Sequence, residues 1–214
     1  MIQNSKLKIQ SHPAVTFSQD LGEIWEKEII VVNPNEIVNR LLIFADQMPK
    51  TANLRIRLTA PKSRAEITVA HLGANQDDSS INIELIHEAP ETYGRITVKS
   101  ALFDKSRLVF RGMLDVRPEA KGSDTYLLAK GLVVSSEARA EMYPYLEIAT
   151  DEVRASHGST VGHLDRNHLF YLQSRGIGRE EAEKMILAGF FRDVAKEMPA
   201  QYAEKFFQKN PVLG

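Results

Sequence analysis

The 214 residues carry 27 Lys and Arg against 28 Asp and Glu, and 43% of them are hydrophobic. Such a chain can bury a real core, but its near-zero net charge excludes a whole-surface electrostatic grip on nucleic acid, which needs a basic excess or stripe. Cysteine is absent, so the chain forms no disulfide and offers neither a thiolate metal ligand nor a cysteine nucleophile.

Residues 1–10 lack the apolar run of a signal peptide, and no stretch approaches the ~20 apolar residues of a membrane span. A soluble, cytoplasmic protein is expected, with no membrane and no nucleic-acid partner. From Lys6 to about His157 the chain reads as strands: 29–32, 41–44, 54–58, 67–70, 81–86, 96–101, 108–116, 126–134 and 145–149 are β-branched or aliphatic runs. Turn formers separate them, such as Asn33-Pro34-Asn35, Ala60-Pro61-Lys62, Ala89-Pro90-Glu91 and Lys121-Gly122-Ser123. Several runs alternate with period 2, which gives one buried and one wet face. The strand centres lie farther apart than tight hairpins need, and Asn-Gly or Asp-Gly signals are few. Two architectures fit, an antiparallel sandwich and a parallel solenoid. No clean short repeat separates them.

The pattern changes near Asp165, a good N-cap. A short helix is expected over 166–175, ended by Gly176 in the left-handed conformation. A second starts after Gly178, with Glu180 and Glu181 in its first turn. Its apolar face is read as Ala182, Met185, Ile186, Gly189, Phe190 and Val194, widened by Leu187 and Phe191. Pro199 suits the first turn of a third helix, which Asn210-Pro211 stops. Phe190-Phe191 and Phe206-Phe207 supply more bulky surface than one seam needs, so a partner-binding patch stands beside simple docking on the β region.

Three histidines, His157, His163 and His168, lie near Asp165. Their intervals do not match the i, i+4 spacing of a zinc-binding helix, so capping or surface roles suit His163 and His168 better. His157 closes a strand inside Ser156-His157-Gly158-Ser159. A hydrolase triad drawn from Ser156, Ser159, His157 and Asp165 lacks the Gly-x-Ser-x-Gly elbow. No Gly-Lys-Ser/Thr phosphate loop follows Gly158 or Gly162, so nucleotide chemistry belongs to a partner.

Residues 106–191 carry a more specific pattern: Pro144-Tyr145-Leu146-Glu147-Ile148, Asp151-Glu152-Val153, Ser156-His157-Gly158-Ser159-Thr160-Val161-Gly162 and Phe170-Tyr171-Leu172-Gln173-Ser174-Arg175-Gly176-Ile177. In order and spacing this resembles the SufB/SufD family of iron–sulfur cluster assembly scaffolds, with His157-Gly158 closer to the SufD branch. The resemblance implies a mainly β fold, a right-handed parallel β-helix core over 1–164, followed by a small C-terminal helical domain over 165–214. It implies a non-catalytic scaffold subunit of a SufBCD-type complex. Its helical arm would dock a SufC-like ABC ATPase around Arg175, Gly176, Ile177, Met185, Ile186, Phe190 and Phe191, and ATP hydrolysis would belong to that partner. It implies pairing with a SufB-like scaffold, or a second copy, through strands of the C-terminal rungs, where His157 is a candidate cluster or metal ligand.

Two departures accompany the resemblance. Family members are typically longer, so flavin-related functions of their extra N-terminal sequence are not carried over. The cysteine through which the SufB branch is thought to hold sulfur falls near Ala129. No cofactor is expected to bind this chain stably alone, since iron–sulfur clusters rely mainly on thiolates; a cluster would sit transiently at an interface with a cysteine-bearing partner. The rival reading is a β-solenoid adaptor without cluster activity, and a histidine-dependent hydrolase is a distant third.

Overall fold

The structure is a computed structural model that describes residues 14–17, 22–45 and 49–208. Eleven strands come first: β1 (Ala14–Phe17), β2 (Ile24–Val31), β3 (Ile37–Phe44), β4 (Thr51–Leu58), β5 (Arg64–Gly73), β6 (Asp78–His87), β7 (Tyr93–Leu102), β8 (Arg107–Val116), β9 (Ser123–Val133), β10 (Arg139–Ile148) and β11 (Val153–His163). Three helices follow: α1 (Arg166–Ser174), α2 (Arg179–Glu197) and α3 (Ala200–Gln208). The odd-numbered strands form one parallel sheet and the even-numbered strands the other. The chain therefore coils as a parallel β-helix of about five turns, and the sandwich alternative is set aside. The parts of residues 1–164 before Ala14, and the expected stop at Asn210-Pro211, lie outside the described residues.

Register explains the alternation read in the sequence. Ile67, Ile96 and Leu127 stack in one column of the first sheet, and Leu54, Ile83 and Gly112 in one of the second. These inward columns form the solenoid core, which includes Ile56, Leu85, Phe110 and Val98, all at 0% exposure. Gly112 leaves room for its neighbours there: a Cβ would lie 2.3 Å from Leu127 Cδ1 and 2.8 Å from Phe110 Cζ, so those buried side chains would have to shift. The outward columns carry ion pairs between neighbouring turns, such as Arg57 with Glu88 at 2.7 Å and Arg107 with Glu141 at 2.8 Å.

A repeat does exist, at the corners rather than in the strands. Ala60-Pro61-Lys62-Ser63, Ala89-Pro90-Glu91-Thr92 and Ala120-Lys121-Gly122-Ser123 turn the chain from the even to the odd sheet. Lys62, Glu91 and Gly122 each take positive φ (61°, 57° and 74°). The corners stack through backbone bonds, Lys62 N to Pro90 O, Glu91 N to Lys121 O and Gly122 N to Glu152 O. The buried hydroxyls of Thr92 and Ser123 join successive turns at 2.7 Å.

The outer face of the odd sheet is covered by helices. Leu41, Ile43, Ala70, Leu72, Ala101 and Phe103 meet Leu187, Phe191, Val194 and Phe206 in a second core. The helices thus dock on the β-helix along a seam that differs from the expected one. Ala182, Leu187, Phe191, Val194 and Met198 are buried, whereas Met185 and Gly189 face solvent. The residues read as widening the stripe are its centre, because the sheet meets the side of α2 turned by about one residue from the Met185 side. Polar anchors fix this seat. Lys99, 6% exposed, donates to the Phe190 carbonyl at 2.6 Å and pairs with Asp193. Thr68 Oγ1 donates to Glu197 at 2.6 Å. Burial works against the Asp193 carboxylate, but the Lys99 ammonium outweighs it and holds its pKa below the usual value.

Candidate functional site

The fifth turn is the end of the described solenoid, and both of its strands are terminal. β11 pairs only with β9 and β10 only with β8. The expectation that His157 closes the last strand is corrected. His157 lies in the middle of β11, which continues to His163 because Thr160 and Val161 suit a pleated strand and pair with Lys130 and Gly131 of β9.

His157 is in register with Leu127, and Ser159 with Ala129. Both therefore stand on inward columns, at a place where no further turn covers them. His157 is exposed, while Leu127 and Ala129 beneath are fully buried. Across the mouth, Met142 and Leu146 of β10 are half-buried against the core, and Ser159 Oγ donates a long bond to the Met142 carbonyl at 3.5 Å. The position to which the resemblance assigns sulfur handling is thus an enclosed alanine, one turn below an open serine. Gly158 faces outward under Tyr126; a Cβ there would lie 2.9 Å from the phenol oxygen. The start of β11 is tied down by Asp124, which accepts from Arg95 at 2.6 Å and Arg154 at 3.0 Å.

Asp165 acts as read: Oδ1 accepts from Asn167 N at 2.8 Å and caps α1. Its other oxygen faces His168 at 3.4 Å. The carboxylate is thereby committed to the helix start rather than to His157. Gly176 has φ 85° and follows the Arg175 C-cap. Among the described residues no three His, Cys, Asp or Glu side chains converge as a metal site, and no helix is long and apolar enough to cross a membrane.

The helical patch residues separate by environment. Arg175, Gly176 and Met185 are exposed, and Ile177, Ile186 and Phe190 half-buried. Phe191 is at 0% exposure inside the second core, edge-on to Phe190 and Phe206 at 4.9 and 5.0 Å, and so is not on a surface. Phe170 and Tyr171, which are not among the expected docking residues, are 72% and 56% exposed. α1 buries none of its residues. The signal that pointed to them was the aromatic pair at the front of the Phe170–Ile177 motif. Sequence reading also passed over two histidines in the core. His71 Nδ1 bonds Ser100 Oγ at 2.6 Å and His87 Nδ1 bonds Thr92 Oγ1 at 2.7 Å, while both Nε2 atoms are buried without a hydrogen-bond partner. Burial lowers the His71 pKa to about 3. Burial, aided by Arg95 and opposed by Asp124, lowers that of His87 to about 4.

The family model described as SUF system FeS cluster assembly, SufBD core domain, matches residues 38–190. An iron–sulfur cluster assembly SufBD family protein of Mycobacterium tuberculosis is 35% identical over 147 residues, covering 68% of this chain and 17% of the relative. The Mycobacterium leprae protein of the same description is 34% identical over 147 residues, with the same coverage. One from Staphylococcus saprophyticus is 35% identical over 144 residues, 67% of this chain and 30% of its own length. The matched region therefore spans under a third of each of these relatives.

Proposed function

The chain belongs to the SufBD family of iron–sulfur cluster assembly proteins, and on that premise we propose that it is a non-catalytic scaffold subunit of a cytoplasmic SufBCD-type complex. The observation that carries the reading is the uncovered fifth turn, where the free edge of β11 and the exposed His157 stand together. An unpaired strand edge is a template for another chain. A neutral imidazole can ligate iron through one nitrogen while the other is held by an acceptor. Iron and sulfide are cargo here. This chain brings a histidine and a backbone edge, and a cysteine-bearing scaffold brings thiolate.

The second half of the proposal is the helical arm. Phe170, Tyr171 and Met185 leave apolar area in solvent, and the Arg175 guanidinium stands 5.3 Å from the Tyr171 ring. Such a patch suits an ABC-type ATPase partner that performs the ATP hydrolysis. The adaptor reading, without cluster work, is favoured by one observation, the absence of cysteine.

Anaerobic reconstitution separates the two. The purified chain alone is expected to hold little iron or sulfide. Mixed with a cysteine-bearing SufB-like scaffold, it is expected to support cluster formation, read as iron and sulfide content with visible absorbance. His157→Ala should reduce that yield with an unchanged folded spectrum. Equal yields for wild type and variant would remove His157 from the role, and no cluster in any mixture would leave the adaptor.

A further inference from the structure

The helices cover the odd sheet, whereas the outer face of the even sheet carries a groove of about 570 Å³. It runs across the strands, along the solenoid axis, between two outward columns. Glu26, Asn53, Asn82 and Arg111 form one wall. Glu28, Arg55, Glu84, Met113 and Tyr145 form the other. From β2 to β10 the groove crosses five strands, roughly 19 Å.

The first wall is a ladder of donors. Asn53 donates one amide hydrogen to Glu26 at 2.7 Å, and Asn82 donates one to Asn53 at 2.8 Å. Each amide nitrogen carries a second hydrogen. Asn82 Nδ2 otherwise meets Ser80 Oγ at 3.4 Å. Arg55, Arg57 and Arg107 on the same face each hold a carboxylate. Arg111 instead reaches Ser80 Oγ at 3.4 Å and pairs with no carboxylate among the described residues. Contacts of that length are weak, so Asn53, Asn82 and Arg111, one turn apart, can each donate to a ligand. The two ends of the groove differ. At β2 it lies between the carboxylates of Glu26 and Glu28, while Lys27 has the inward parity of Leu54. At β10 the exposed Tyr145 stands in register with Met113 and forms an apolar shelf.

We propose that this groove binds a proline-rich segment of a partner protein in the polyproline II conformation, with a Lys or Arg of the segment over β2 and prolines over Tyr145. A polyproline II chain has no internal hydrogen bonds, and its prolines have no N–H. It therefore shows acceptors and requires donors, which the first wall supplies. Aromatic side chains line grooves that take such chains. Spacing selects this conformation. One turn of it, three residues, advances roughly 9.3 Å, and two turns of the solenoid advance roughly 9.4–9.8 Å. Carbonyls three residues apart thus come to lie at Asn53 and Arg111. An extended peptide repeats at roughly 6.6–6.8 Å and matches neither one solenoid turn nor two. Charge selects the direction, since Glu26 and Glu28 favour a cation at the β2 end. A phosphate chain would meet like charge there and again at Glu84.

The probe is a fluorescein-labelled peptide of about six prolines, the length that fills the groove, with an arginine at one end. Fluorescence anisotropy with the full chain should give a saturable isotherm. A Gly/Ser peptide of equal length with the same arginine should bind about tenfold more weakly, because it must be ordered on binding. Tyr145→Ala and Arg111→Ala lie at exposed positions, and each should weaken the proline peptide about fivefold with an unchanged far-ultraviolet spectrum. Glu28→Gln should weaken the arginine-bearing peptide about threefold and leave an all-proline peptide unchanged. No saturable binding, equal binding of the Gly/Ser peptide, or full affinity in both the Tyr145→Ala and Arg111→Ala proteins would overturn the proposal. Displacement by single-stranded DNA would assign the groove to a phosphate chain and overturn it as well. Unchanged affinity in Glu28→Gln would overturn the placement of the basic end.

Discussion

Phe170 and Phe191 are both aromatic residues of the C-terminal helices, and their surroundings assign them opposite work. Phe191 is enclosed by the seam between α2 and the odd sheet, so Phe191→Ala empties a packed site and should cost ~3–5 kcal/mol, seen as a lower urea midpoint. Phe170 is 72% exposed, so Phe170→Asp should leave the unfolding free energy within about 0.5 kcal/mol of wild type. If the arm docks an ATPase, the same change should weaken a pull-down with the cognate ATPase at least tenfold, because a charge would enter an apolar contact. A Phe170→Asp protein that binds normally would move the docking surface elsewhere. Phe190 is less clean for this purpose: its ring lies 5.3 Å from the Lys99 ammonium and its carbonyl accepts from that lysine.

At the scale of elements, α2 is held by an apolar stripe with polar pins. Lys99 is the buried pin, and its removal takes the lysine donor away from the Phe190 carbonyl and from Asp193. Lys99→Ala should therefore loosen α2 and α3 by roughly 1–3 kcal/mol while the inner columns keep their packing. Hydrogen exchange measures this directly: faster exchange is expected in α2 and α3, with β5 to β9 unchanged. Unaltered protection of α2 would mean that the stripe of Leu187, Phe191 and Val194 seats the helix without the pin. The opposite case is α1, which is capped by Asp165 but buries nothing. Its order comes from the cap and its contact with α2, as suits an element free to meet another surface.

The whole molecule should be sensitive to acid through its two core histidines. Both have folded pKa values below the ordinary 6.5, about 3 for His71 and about 4 for His87, because burial opposes the imidazolium. The unfolded chain takes up protons first. Stability is thus full above the unfolded pKa of 6.5 and is lost as the pH falls from there toward the folded values. By pH 5 the loss should reach roughly 2 kcal/mol per histidine. Urea unfolding at pH 7 and pH 5 tests it, and a stability unchanged over that interval would contradict the buried, neutral state of both rings.

Much of this was legible in one dimension. The period-2 runs placed most strands, since alternation is a property of the chain itself. Asp165 and Gly176 bounded α1 because capping is local chemistry. The Ser156–Gly162 and Phe170–Ile177 blocks carried the family. The corner repeat was present in Ala60, Ala89 and Ala120 with their following Ser or Thr, but it was hidden by a change of spacing and by Lys62 and Glu91 in conformations that ordinarily call for glycine. Other facts belonged to the tertiary structure alone. Parallel rather than antiparallel pairing depends on partners about 27 to 32 residues away. The buried side of α2 is chosen by the sheet it meets, which is why Phe191 went to the core and Met185 to solvent. Whether His157 ends a strand or stands at the middle of a free edge depends on how far β9 continues beside it, and a sequence does not show where the neighbouring strand stops.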